Sequence, residues 1–156
     1  MNYSKFFTRF SLFFSNYLPI LSILILSAIF RLNGLDWDVG YNYTPHPDER
    51  AILFHVSDLA WPASSNVLNL FDADLSSWNP GWFPYGSFPL YLLKVVQIIL
   101  SPGIHMDLVD LSIAGRTISA LADTLSVLVV YLIGTRVYGN RVGLLAAVAM
   151  TFTVLH

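Results

Sequence analysis

The chain has 156 residues, 55% of them hydrophobic, 15% aromatic and only 12% charged, with a formal charge of -2 and a mean hydropathy of +0.60. A soluble domain of this length carries about 25% charged residues and has too high a surface-to-volume ratio to hide so much apolar area, so an ordinary water-soluble fold is excluded. The absence of cysteine excludes a disulfide-stapled module and thiol catalysis, and the wealth of aliphatic and aromatic residues excludes disorder. The composition belongs to an all-α integral membrane protein.

Residues 1–10 carry Lys5 and Arg9 and form a basic N-terminus. From Ser11 to Phe30 there is no charge. Twenty residues at about 1.5 Å each reach about 30 Å, the thickness of a hydrocarbon core, so 11–30 is expected to be the first transmembrane helix. It is too long for the apolar region of a signal peptide and Ser27-Ala28-Ile29-Phe30 offers no small-residue cleavage site, which favours an uncleaved anchor. Pro19 is expected to kink it at most, since membrane helices tolerate proline.

Residues 31–110 form a polar loop of different character. Between Leu32 and Leu93 lie seven of the ten acids, one base (Arg50), all four tryptophans and six of the eight prolines. A charge of about -6 there argues against nucleic acid or an anionic lipid surface and favours a sugar-like partner or a cation, while tryptophans can also serve as headgroup-level anchors. Within the loop, Pro47 suits the first turn of a helix, Asp48 and Glu49 complement its positive end, and Pro62 closes it. Ile52, His55 or Val56, and Leu59 recur at helical spacing, giving an amphipathic interfacial helix over about 47–61. Asp48 and Glu49 at its start can deprotonate a hydroxyl, bind a metal, or simply satisfy the helix end; spacing alone favours the last. Asn79 to Tyr91 is punctuated by proline and glycine into turns rich in aromatic residues.

The apolar stretch 88–100 is short and carries Lys94 and Gln97, which suggests a second interfacial helix. Residues 111–134 are the expected second transmembrane helix, with Arg116 near its start and Asp123 inside it. The connector 135–141 holds Arg136 and Arg141 and no acid, so the positive-inside bias places it, like residues 1–10, in the cytoplasm. Two crossings between these basic ends put the loop 31–110 outside and leave 88–100 as a surface helix. A third transmembrane helix is expected from 142 and is still apolar at His156, as if truncated there, which suggests the N-terminal piece of a longer multi-pass protein.

Asp123 in an apolar helix is either glue between helices or a direct participant in function. Arg116, almost two turns earlier, is expected to snorkel to headgroups or to meet a lipid phosphate. His46 and His55 flank the acidic pair, but their spacing matches no metal motif, so no metal ligands are assigned. No cofactor is indicated, and a divalent metal stands as an open alternative.

Taken in order, the single first helix, His46-Pro47-Asp48-Glu49, Asn79-Pro80 through Tyr85-Gly86-Ser87 ahead of Pro89-Leu90-Tyr91, and Gly115-Arg116-Thr117 to Asp123 leading to Gly134-Thr135-Arg136-Val137-Tyr138-Gly139 resemble a GT-C-class membrane glycosyltransferase. The similarity is to the protein O-mannosyltransferase and aminoarabinose-transferase group. It implies the N-terminal part of a GT-C polytopic helical bundle that transfers a sugar, with inversion, from a polyprenyl- or dolichyl-phosphate-linked donor. The acceptor would be a lipid, glycan or protein on the extracytoplasmic face. It further implies Asp48 as the catalytic carboxylate and Glu49 as its partner. His46, Tyr85, Arg116 and Asp123 are the candidate substrate-binding residues. Membrane lipids are expected partners and nucleic acid is not, and the expected place is a bacterial plasma membrane with the N-terminus cytoplasmic. The competing class is a non-enzymatic transporter or scaffold whose acidic loop binds a partner.

Overall fold

The computed structural model describes residues 3–40, 46–60, 64–72, 74–102 and 106–153, with side chains from Tyr17 onward except in 64–66. Pro45, Trp61, Pro62, His105, His156 and the side chains of Lys5 and Arg9 lie outside the described residues. Five α-helices and one 3₁₀ helix make up the described chain, and no sheet forms among the described residues: α1 (Tyr3–Leu32), α2 (Pro47–Asp58), the 3₁₀ helix Ser64–Phe71, α3 (Phe88–Leu100), α4 (Leu108–Tyr138) and α5 (Asn140–Phe152). They fall into two compact units, one of residues 1–35 and 117–156 and one of residues 36–116.

The first unit holds α1, α5 and the greater part of α4. Its core is Ile20 from α1, Val127 and Tyr131 from α4 and Ala147 from α5, with Ile23, Leu24, Leu128, Leu144 and Met150 packed around them. Outside this core the helices are apolar as well. Leu21, Ile25 and Ile29 on α1, Leu125, Leu132 and Ile133 on α4, and Leu145 on α5 are all exposed. A soluble bundle would usually place charged side chains on such faces.

α4 is 31 residues long and apolar enough to cross a membrane. Tyr17–Leu32, Phe88–Leu100 and Asn140–Phe152 are apolar but shorter. The segment 135–141, expected from its arginines to be a connector, is almost wholly helical: α4 runs on to Tyr138 and α5 starts at Asn140. Gly139 alone makes the break, with a φ of 92° that a side chain would strain. The two helices then approach so closely that a Cβ on Gly134 would lie 2.9 Å from the Gly143 Cα, and one on Gly143 would lie 2.7 Å from the Tyr131 carbonyl oxygen. On α5 the buried residues are Gly143, Ala147 and Thr151, a stripe of small side chains at every fourth position. Small residues of this kind let membrane helices gain dispersion contacts where lipid offers no hydrophobic drive. The Tyr131 hydroxyl, donating to Asn140 Oδ1 at 2.9 Å, ties the hairpin near its turn.

In the second unit α2 packs on α3. Leu53, Val56 and Leu59 meet a core that includes Leu90, Leu93 and Leu111, all nearly without exposed surface. Each such leucine contributes about 1.5–3 kcal/mol by leaving water. A Cβ added at Gly115 on α4 would meet the Leu93 side chain at an ordinary contact distance of 3.5 Å. The intervening loop is fixed to the helices by polar contacts. Ser77 Oγ donates to the Ala60 carbonyl at 2.8 Å and Tyr91 Oη donates to the Trp78 carbonyl at 3.0 Å.

α2 ends at Asp58, with Leu59 as its extended C-cap, a turn short of the expected boundary. The 3₁₀ helix that follows has no counterpart among the expected elements, since eight residues of short tight turns leave little trace in a sequence.

Candidate functional site

The site is built at the N-terminus of α2. His46 takes an extended conformation (φ -74°, ψ 119°) and acts as N-cap, its Nδ1 accepting from the Glu49 N–H at 3.5 Å. Pro47 opens the helix with no N–H to satisfy, and Asp48 and Glu49 fill the first turn. Successive residues on a helix point about 100° apart, so these two carboxylates cannot share one direction. They go to separate partners.

Glu49 turns to Arg116. Its Oε1 accepts from Arg116 Nε at 2.7 Å and its Oε2 from Nη2 at 2.9 Å. The same guanidinium donates through Nη1 and Nη2 to the two carboxylate oxygens of Asp38, at 2.5 and 2.7 Å. Arg116 therefore holds two carboxylates bidentately, the geometry in which arginine binds them most strongly. Its guanidinium carbon also lies 5.7 Å from the centre of the Trp37 ring. The buried Asp38 carboxyl is held below the usual carboxylate range by the Arg116 hydrogen bonds, which outweigh the opposing effect of its burial. Arg116 is thus turned inward to protein carboxylates rather than outward to headgroups.

Asp48 remains exposed. Its Oδ2 accepts from the Tyr85 hydroxyl at 2.8 Å. Tyr85 reaches it from the turn-rich loop after Asn79, where Asn79 Oδ1 accepts from the Gly81 N–H at 2.9 Å and the Gly86 N–H donates to the Phe83 carbonyl at 3.1 Å. An aromatic row aims the tyrosine. The Trp82 ring stacks on His55, two turns along α2 from Asp48, with centres 4.9 Å apart and planes 14° from parallel. Tyr85 meets Trp82 edge-on at 5.7 Å. The tyrosine pKa is raised because its proton is shared with the Asp48 carboxylate.

The sequence candidates therefore separate. His46, Asp48, Glu49, Tyr85 and Arg116 belong to one unit and meet around the start of α2. Asp123 belongs to the other unit, where its carboxylate pairs with Arg31. Arg31 is almost fully buried, and besides Asp123 it donates to Ser27 Oγ at 2.8 Å and to the Met150 carbonyl at 3.2 Å near the end of α5. That is the role of glue between helices. Asp38, Trp37 and Arg31 were missed from sequence. Asp38 was one acid among seven, and nothing local marked it as the second partner of Arg116.

Chemically, the site offers one solvent-facing carboxylate oriented by a phenol, and beside it a closed carboxylate–guanidinium cluster that fixes the backbone. Among the described residues, no three His, Asp or Glu side chains gather in a way that would hold a metal ion. The chain matches no family model, no curated protein and no solved structure.

Proposed function

We propose that the chain is a multi-pass integral membrane protein of GT-C glycosyltransferase type, with its N-terminus cytoplasmic and the 36–116 unit on the extracytoplasmic face. There it transfers a sugar from a polyprenyl- or dolichyl-phosphate donor to an acceptor hydroxyl, with inversion at the anomeric carbon. The observation that carries this reading is the placement of Asp48. It is an exposed carboxylate at the positive end of a helix, oriented by Tyr85, while its neighbour Glu49 is engaged elsewhere. Asp48 takes the acceptor proton as the oxygen attacks the anomeric carbon, and the lipid phosphate leaves from the opposite face. A base of this kind contributes about 10²–10⁴-fold to rate. Glu49, Asp38 and Arg116 hold the backbone on which Asp48 stands.

The test is transfer from a radiolabelled polyprenyl-phosphate sugar by membranes containing the protein. Asp48→Asn is expected to lower transfer by about 100-fold or more. Transfer at the unaltered rate in Asp48→Asn overturns the assignment.

A further inference from the structure

The 36–116 unit exposes apolar surface in two different settings. On α3, Phe88, Leu92, Val95 and Ile99 recur at helical spacing and face outward, whereas Lys94 and Gln97, one turn apart, keep only 8% and 4% of their surface. That order suits a boundary with hydrocarbon and is the reverse of what water favours. The Tyr85 ring is the other setting. It is 52% exposed, yet its hydroxyl donates to Asp48 Oδ2 at 2.8 Å, so an open aromatic ring carries a carboxylate at its rim.

Trp82 meets the phenol edge-to-face, a contact that covers at most one of the phenol's two faces, and Trp82 is itself held by its stack on His55. The ring is fixed before any ligand arrives, which lowers the entropic cost of binding on it. The face of an aromatic ring is the negative part of its quadrupole and takes partly positive C–H groups. Asp48 accepts only the Tyr85 bond among the described residues, and a carboxylate has room for several more donors. A pyranose satisfies both groups, since its C–H face lies flat on the ring while a hydroxyl at its edge reaches the carboxylate. A phosphate headgroup or an acidic sugar is repelled by Asp48. The neighbouring cluster of Asp38, Glu49 and Arg116 does not offset this, because it holds two carboxylates to one guanidinium.

We propose that Tyr85 and Asp48 form the acceptor subsite for an uncharged pyranose, stacked on the phenol with one hydroxyl donating to Asp48. The inference rests on the transferase reading and narrows its acceptor to a sugar hydroxyl. Because Asp48 takes the acceptor proton, the ring on Tyr85 is the acceptor and not the donor sugar. The acceptor oxygen bonds to the donor's anomeric carbon, and the bond from that carbon to the phosphate oxygen breaks with its electron pair going to the phosphate. The hydroxyl proton passes to Asp48.

The test uses the full-length chain in lauryldimethylamine oxide micelles, which unlike maltosides carry no sugar. It is titrated with the methyl glycosides of glucose, galactose and mannose, with methyl glucuronide and with inorganic phosphate, binding being read by saturation-transfer and phosphorus NMR. At least one neutral glycoside is expected to bind about tenfold or more tighter than the glucuronide and phosphate, and Tyr85→Ala to weaken it by about tenfold. Tyr85→Phe, which keeps the ring, is expected to bind within about threefold of the parent, and Phe83→Ala, at an exposed aromatic two residues away, to bind as the parent does. Neutral glycosides binding no tighter than the glucuronide overturn the proposal, as does binding unchanged in Tyr85→Ala or weakened equally in Phe83→Ala. Should Tyr85→Ala fail to fold, Tyr85→Leu, which keeps apolar bulk without an aromatic face, decides by the same criterion. Transfer separates the two readings. Normal transfer in an Asp48→Asn chain that still binds the glycoside through Tyr85 removes the catalytic base and leaves the sugar site. Transfer lost in Asp48→Asn, with no glycoside bound by the parent, leaves the base and removes the sugar acceptor.

Discussion

Arg31 and Asp123, 92 residues apart in the chain, form an ion pair in which the arginine side chain is 2% exposed and the aspartate side chain 40% exposed. The asymmetry sets the energetics. The cation is the buried partner, and its remaining donors go to Ser27 and to the Met150 and Thr151 carbonyls near the end of α5. Asp123→Ala leaves a buried charge without its counter-ion and is expected to cost about 3–5 kcal/mol. Arg31→Met leaves a carboxylate that still reaches solvent and is expected to cost less. A double-mutant cycle on thermal melting in detergent checks the pair; additive effects would mean that the two side chains do not interact.

Gly143 faces the most restrictive packing in the α4–α5 hairpin, with the Thr135 amide nitrogen 2.8 Å and the Tyr131 carbonyl oxygen 2.7 Å from where a Cβ would sit. These are backbone atoms that cannot swing aside. Gly143→Leu is expected to destabilise by about 1–3 kcal/mol or more through overpacking. Leu145→Ala, two residues on and on the opposite, exposed side of the helix, serves as the control and is expected to change melting little.

The Asp38–Arg116 pair gives the 36–116 unit an acid limit. Asp38 binds its proton less tightly in the folded state than in the unfolded chain, because Arg116 favours the carboxylate. Its stabilisation is complete above about pH 4 and is lost as the pH falls below that, through the depressed folded value. Asp38→Asn is expected to cost about 2 kcal/mol at neutral pH, the scale of a charged hydrogen bond, and to flatten the acid limb of the melting curve. An Asp38→Asn protein whose acid limb is unchanged would show that other carboxylates set it.

Tyr85 reports directly on Asp48. The shared proton raises the phenol above its ordinary value, so tyrosinate forms at higher pH while the aspartate is charged. In a difference titration at the tyrosinate absorbance, Asp48→Asn is expected to bring one phenol back towards about 10, and Tyr85→Phe to remove that transition. No change in Asp48→Asn would mean that the two side chains do not meet.

Some of this was legible before any fold was known. Pro47 with two acids behind it announces a helix N-terminus, and α3 covers the stretch Phe88 to Leu100 that the hydropathy marks out. The end of α4 was less legible because arginine and tyrosine, common at membrane boundaries, continue a helix as readily as they leave it. Only Gly139, with its left-handed backbone, forces the turn. Pairings over long separations were not legible at all. Nothing near Arg31 points to Asp123, and Arg116 could not be assigned to Asp38 and Glu49 until α2 and the start of α4 belonged to one compact unit. The inward turn of Lys94 was half visible, since its spacing against Phe88, Leu92 and Val95 defines two faces, but hydropathy alone does not say which face meets the protein.

The outward stripe of α3 has practical weight for anyone handling the protein. Once detergent is diluted below its micellar concentration, Phe88, Leu92, Val95 and Ile99, like the exposed aliphatic residues of α1, α4 and α5, have only the apolar faces of another molecule to meet. Self-association would then begin on these faces rather than on the acidic stretches of the loop, whose charge repels its like.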